Sequence, residues 1–299
     1  MAINRPAAAS FTPSTTLPDA TRLGLVTLSV ANLERSRTFY ENVIGLKPLA
    51  QNQSEQSSRI VMGIDTPLVA LQEKAGASRQ PGSTTGLYHI AVLLPTRASL
   101  ARTILHFAEV RYPLQGYADH RVSEAFYLAD PDGHGLEIYW DKPRDQWVFT
   151  NDTLDMGSDP IDLDALFAEA GENPPPFNGL PDGTKIGHMH LRVGDSAQAV
   201  DFYTRLIGFQ IMQSWPGAGF VSAGGYHHHL GLNMWQSRGG HAPSEASVQL
   251  EFWTIHVPHT ADLEQLVERL AAGGWPYNRD EHSVVVRDPW GTTVHVTTA

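Results

Sequence analysis

The chain has 299 residues, no cysteine, and 32 acidic against 21 basic side chains, for a net charge of -11. The missing cysteine excludes disulfides, thiolate nucleophiles and zinc-thiolate centres, so any metal must be held by His, Asp or Glu. The acidic balance leaves no basic face for nucleic acid, and no run approaches the roughly 20 apolar residues of a membrane helix.

Residues 1–22 carry no apolar run after Arg5, which argues against a signal peptide, and are expected to form a flexible tail on a cytoplasmic protein. From Gly24 the chain repeats itself. GLVTLSVANLERSRTFYENVIGL is matched from Gly187 by GHMHLRVGDSAQAVDFYTRLIGF, which superposes Phe39-Tyr40 on Phe202-Tyr203 and Ile44-Gly45 on Ile207-Gly208. Each copy reads as an alternating strand, an amphipathic helix and a glycine stop. Further on, Asp130-Pro131-Asp132-Gly133 is echoed by Asp288-Pro289-Trp290-Gly291. Each half divides again, with new strands expected at Tyr88–Leu94 and from Phe252. The expected fold is α+β: four βαβββ modules of roughly 50 residues in two tandem domains, 23–140 and 186–299, with any metal site in a curved mixed sheet. Residues 141–185 read as a linker, with a short helix at Ile161–Phe167 and a stiff Asn173-Pro174-Pro175-Pro176.

The repeat allows equivalent positions to be compared within one chain. The first strands of the modules centre on Thr27, His89, His190 and Phe252, and the last strands on Val69, Glu137, Asn233 and Val294-His295. Modules two and three thus supply His89, Glu137 and His190, two imidazoles and a carboxylate, the set that leaves positions open for substrate and O2 at a non-haem metal. A lone strand histidine is usually structural. Here, however, Glu137 lies between Leu136 and Ile138, where an unpaired carboxylate would be costly. The fourth position is Asn233, where an isomerase would want a second carboxylate.

The run His120-x6-Tyr127-x2-Asp130-Pro131-Asp132-Gly133-x3-Glu137 resembles the extradiol dioxygenase signature. Over nearly all of 23–299 the chain resembles the vicinal oxygen chelate superfamily (glyoxalase, bleomycin and fosfomycin resistance, extradiol dioxygenase), above all the two-domain bacterial catechol 2,3-dioxygenases. The resemblance implies Fe(II), with Mn(II) sharing the ligand set. It also implies a small aromatic diol and O2 as partners, and a 2-hydroxymuconic semialdehyde-type product. It gives His228 as an acid–base group, and Tyr127 and His120 as groups that stabilise the substrate oxygens. Alternation is expected to send His227 and His229 to the face opposite His228.

The best-known members draw all ligands from the second domain. The set here is complete only if module two pairs with module three, so that His190 shares a cavity with His89 and Glu137. The rival readings are a metal-dependent isomerase or lyase of the glyoxalase type and a non-catalytic small-molecule-binding protein. A homo-oligomer is left open.

Overall fold

The computed structural model describes residues 16–54, 57–151 and 153–298, and each expected module appears in it as one strand, a helix and three more strands. Module one contains β1 (Arg22–Val30), α1 (Leu33–Phe39), β2 (Lys47–Ser54), β3 (Ser57–Gly63) and β4 (Pro67–Glu73). Module two contains β5 (Gly86–Leu93), α2 (Arg97–Glu109), β6 (Gly116–Asp119), β7 (Ser123–Ala129) and β8 (Gly135–Asp141). A connecting segment follows with β9 (Phe149–Thr150), β10 (Thr153–Leu154) and α3 (Leu163–Ala168). Module three contains β11 (Lys185–Arg192), α4 (Ser196–Asp201), β12 (Gln210–Trp215), β13 (Ala218–Ser222) and β14 (Leu230–Asn233). Module four contains β15 (Leu250–Val257), α5 (Thr260–Ala272), β16 (Tyr277–Arg279), β17 (Ser283–Arg287) and β18 (Thr293–Thr298).

The repeated sequence signals have repeated physical causes. Asn32 caps α1 by accepting from the Arg35 N–H, and Asp195 caps α4 by accepting from the Gln198 N–H. Both helices then widen into a π turn, Tyr40–Ile44 and Phe202–Ile207. Each π turn stops at a glycine in the left-handed region, Gly45 at φ +88° and Gly208 at φ +105°. The two Asp-Pro turns match as well: Asp130 Oδ1 accepts from the His134 N–H and Asp288 Oδ1 from the Thr292 N–H, both at 2.9 Å.

Two eight-stranded sheets result, and each draws on both halves of the chain. One runs β16-β17-β18-β15-β1-β4-β3-β2, joining modules four and one. The other runs β12-β13-β14-β11-β5-β8-β7-β6, joining modules three and two through an antiparallel β11–β5 pair. Helix-to-turn bonds hold each half together across the sheets. Arg35 pairs with Asp132 and Tyr40 donates to Asp130 in the first half, and Tyr203 donates to Asp288 in the second. One continuous apolar core, including Leu28, Val69, Ile90, Leu191 and Trp253, fills the space beneath both sheets.

Of the tail expected over 1–22, residues 1–15 lie outside the described residues. Beyond them Leu17 is buried and its N–H donates to the Gly208 carbonyl at 2.8 Å. The segment between the halves does carry its short helix, α3, anchored by buried Leu166.

Candidate metal centre and cavity

Strands β5, β8 and β11 run side by side and direct three polar side chains into one buried place. Glu137 Oε2 lies 2.9 Å from His89 Nε2 and 3.1 Å from His188 Nε2, and all three residues are buried. Among the described residues this is the one group whose donor atoms all lie within 4.8 Å of one another. Glu137 and His188 meet with hydrogen-bond geometry. His89 Nε2 does not, despite its 2.9 Å distance, and is left as a buried nitrogen without a hydrogen-bond partner. A ring nitrogen such as His89 Nε2, which approaches the carboxylate without bonding it, is what a shared cation would engage, and an all-His/Glu donor set suits a divalent transition ion.

The register explains why His188 stands here. β5 and β11 pair as His188 with Ala91, Met189 with Ile90 and His190 with His89. A half-turn about the Met189–Ile90 pair exchanges the two strands. It also carries Ile186–Val92 onto Leu191–Leu87, and Lys185–Leu93 onto Arg192–Gly86, so the two breaks in the ladder match. Under that rotation His89 maps onto His188, whereas His190 maps onto Ala91. Glu137 sits beside Ala91, and the residue beside His190 is Gly231, so glycine holds the place that mirrors the carboxylate. A Cβ there would meet the His190 ring at 2.9 Å.

His190, the histidine expected from the repeat, faces the same cavity, and its ring centre is 4.9 Å from that of His89. Its Nε2 is engaged by the Asn233 side-chain amide at 2.9 Å, in either orientation of that amide. It is boxed by Tyr88, Phe220 and Trp235 rather than by the carboxylate. The structure therefore brings together His89 and Glu137, with His188 as the third donor and His190 one rung away. Two residues along a strand keep the same face, so the sequence pattern alone could not separate them.

The other candidates line the same cavity, which has a volume of about 520 Å³. Tyr127 and His120 form a dyad: the Tyr127 hydroxyl meets His120 Nε2 at 2.6 Å, and His120 Nδ1 meets the Gly157 carbonyl at 2.7 Å. A carbonyl only accepts, so Nδ1 carries the proton and the tyrosine donates to Nε2. Burial, followed by the nearby Glu137 charge, pushes the Tyr127 hydroxyl well above its ordinary pKa and keeps it a donor.

The histidine run departs from the expected alternation. Gly224 and Gly225 both adopt positive φ, +60° and +63°, and residues 224–229 lie outside β14. The period of two does not hold there, and His227 and His228 meet Nδ1 to Nδ1 at 2.8 Å instead of pointing apart. Asp141, at the end of β8, continues the chain. Its Oδ1 is 2.8 Å from His227 Nε2, and its Oδ2 accepts from Tyr226 at 2.8 Å. The carboxylate fixes a proton on His227 Nε2, leaving His227 Nδ1 to accept from His228 Nδ1 and His228 Nε2 with a free lone pair. Asp141 and His227 were not visible as site residues in the sequence, because nothing in it places the end of β8 beside the Gly-Gly turn.

The electrostatics suit a metal-ready donor set. Burial raises the Glu137 pKa, but His188 and His89 outweigh it and hold the carboxyl well below its usual range. Burial brings the His188 imidazole down to about 4, with Glu137 opposing and the neighbouring histidines reinforcing. An ionised carboxylate beside neutral imidazoles is the form that ligates.

His229 is brought down to about 3, by burial first and then by His227 and His188, and its Nδ1 already accepts from the Ala223 N–H. Because the folded pKa lies below the ordinary value of about 6.5, the unfolded chain takes up protons first as pH falls. Stability should therefore be intact at neutral pH and drop steadily from about 6.5 toward 3–4. Each such histidine costs about 2 kcal/mol by about pH 5. Urea unfolding of metal-stripped protein between about pH 7 and pH 5 measures this, and an unchanged midpoint would contradict it.

The family model for the glyoxalase/bleomycin resistance protein/dioxygenase superfamily matches residues 22–138 and 185–296. The chain belongs to this superfamily. A catechol-2,3-dioxygenase of Bacillus subtilis (strain 168) is 38% identical over 279 residues, covering 92% of this chain and 96% of its own. Among solved structures, a Bacillus subtilis protein described only provisionally as a dioxygenase aligns with TM-score 0.65 at 14% identity, over 95% of this chain and 86% of its own. A variant of Zea mays glyoxalase I aligns with TM-score 0.59 at 14% identity, over 93% and 94%. The two structures establish shared fold. Among the described residues no helix is long and apolar enough to cross a membrane.

Proposed function

We propose that the chain is an extradiol ring-cleaving dioxygenase acting on catechol or a substituted catechol, with His89, Glu137 and His188 as its metal ligands. The observation that carries this reading is that, among the described residues, three donor atoms converge and the fourth symmetry-related place is Gly231 rather than a carboxylate. A glyoxalase-type isomerase would want a carboxylate there, and the 38% identical relative is named for ring cleavage. A divalent cation held by this set, Fe(II) or Mn(II), supplies Lewis acidity toward a diol hydroxyl and a redox-active meeting point for diol and O2.

The chain's own groups do the rest. Tyr127 presents a hydroxyl whose partner His120 is anchored on Gly157, so the dyad can stabilise negative charge growing on a substrate oxygen. His228 presents an unprotonated Nε2 and takes up the proton that leaves the diol, then returns it during cleavage. The aromatic walls, Tyr88, Phe220 and Trp235 among them, hold a flat ring and exclude water. In the net reaction the ring bond beside the diol breaks, and both oxygen atoms remain in a semialdehyde acid.

Oxygen uptake by anaerobically Fe(II)-loaded protein, followed in an electrode with simultaneous visible spectra, tests the proposal. Uptake with a yellow product is the expected result. Metal-loaded protein that consumes no oxygen with any simple or substituted catechol would point to the isomerase chemistry instead.

A further inference from the structure

We infer that Arg192 is the anion-binding end of the substrate cavity, and that the diol taken by this chain carries a carboxylate on a short arm. The inference rests on the dioxygenase reading and narrows its substrate. Along β11, alternation places His188, His190 and Arg192 on one face, and all three line the cavity. The guanidinium Nε of Arg192 is buried and has no hydrogen-bond partner. Among the described residues no carboxylate pairs with Arg192, although Arg35, Arg97, Arg121 and Arg279 all have one. Burial lowers its pKa, as it does for any cation withdrawn from water without a counter-charge.

A chain with 32 acidic residues has no shortage of partners to offer. Arg192 shares the cavity lining with the neutral side chains of Tyr88, Trp235 and Gln236, and no ion pair with the cavity's Glu137 is formed. Arg192 is half-buried, and a guanidinium whose Nε is shut off from water without a partner is costly to keep, a cost that an anion from outside the fold relieves. The fold does not demand the arginine, since the rotation that exchanges β5 and β11 puts Leu93 at the equivalent place. Guanidinium groups bind planar carboxylates through two parallel N–H bonds, which makes a carboxylate the matching ligand. Arg192 lies four strand residues from His188, about 13 Å between backbones. A diol ring seated at the His–Glu–His end fills only part of that span. A short acidic arm and the length of the arginine side chain close the remainder.

The experiment compares dihydroxyphenylacetate isomers, their methyl esters and plain catechol. Binding to the full-length protein is measured under argon by quenching of tryptophan fluorescence, since Trp215 and Trp235 line the cavity. The acid should bind at least about 10-fold more tightly than its ester, the worth of one charge-assisted contact. Arg192→Met should abolish that difference, and Arg192→Lys should restore part of it. Equal affinity of acid and ester in the unsubstituted protein overturns the inference without any variant having to fold. Turnover of catechol by the Fe(II)-loaded enzyme, with no preference for the acid, also overturns it while leaving the dioxygenase reading intact. Arg192-dependent acid binding without oxygen uptake on any diol supports the anion site and sinks that reading.

Discussion

Replacing His188 with Ala, or Glu137 with Gln, should release the metal, whereas His190→Ala should keep it. The three-atom convergence sets the order of effects. Glu137 lies within 3.1 Å of both His89 and His188, so removing it leaves two imidazoles with no anion between them. Removing His188 leaves one imidazole and one carboxylate, too few to outcompete water. Either change should weaken divalent-metal binding by more than the roughly 10–100-fold that outer-shell changes typically cost. His190 has its Nε2 committed to Asn233, and its loss should stay within that outer-shell range. Competition with a chromophoric chelator, followed by metal analysis after dialysis, measures all three. A loss for His190→Ala as deep as for His188→Ala would return His190 to the ligand set.

This distinction marks the limit of what the sequence could show. The repeat was legible because its signals are local: caps at Asn32 and Asp195, the Phe-Tyr pairs, the glycine stops at 45 and 208, and the Asp-Pro turns. The family motif was legible for the same reason, but the missing acidic partner was read at Asn233, whereas the register puts Gly231 at the place that mirrors Glu137. That modules two and three must share a sheet followed from where the chemistry-bearing residues lay, and β5 pairs with β11 accordingly. The sequence reading took His190 as the third ligand, whereas the structure gathers His188 with His89 and Glu137. A slip of two keeps every side chain on its face, and the ladder breaks that fix the register do not appear in residue identities. Asp141 was hidden for a different reason. It meets His227 across 86 residues, and a Gly-Gly turn cancels the alternation that would have turned His227 away.

That hidden contact leads to the second large effect. His227→Phe should lower kcat by about 100-fold or more, the scale of a lost acid–base group, while leaving metal affinity close to unchanged. The wild-type chain runs from Asp141 Oδ1 through His227 to His228, with both links at 2.8 Å and His227 fully buried. The carboxylate dictates which nitrogen of His227 is protonated, and His227 in turn holds the proton of His228 on Nδ1. With phenylalanine at 227 that acceptor is gone, and His228 is free to carry its proton on Nε2, where it can no longer accept one from the diol. A merely structural role for His227 would lower stability and KM behaviour alike. A positioning role predicts an altered His228 tautomer in nitrogen-15 spectra of metal-free protein, with KM nearly constant. It also predicts that His227→Phe adds little to a His228→Gln background, because both changes remove the same proton transfer. Losses that multiply in the double variant, or full turnover in His227→Phe, would show that His228 works without its neighbour.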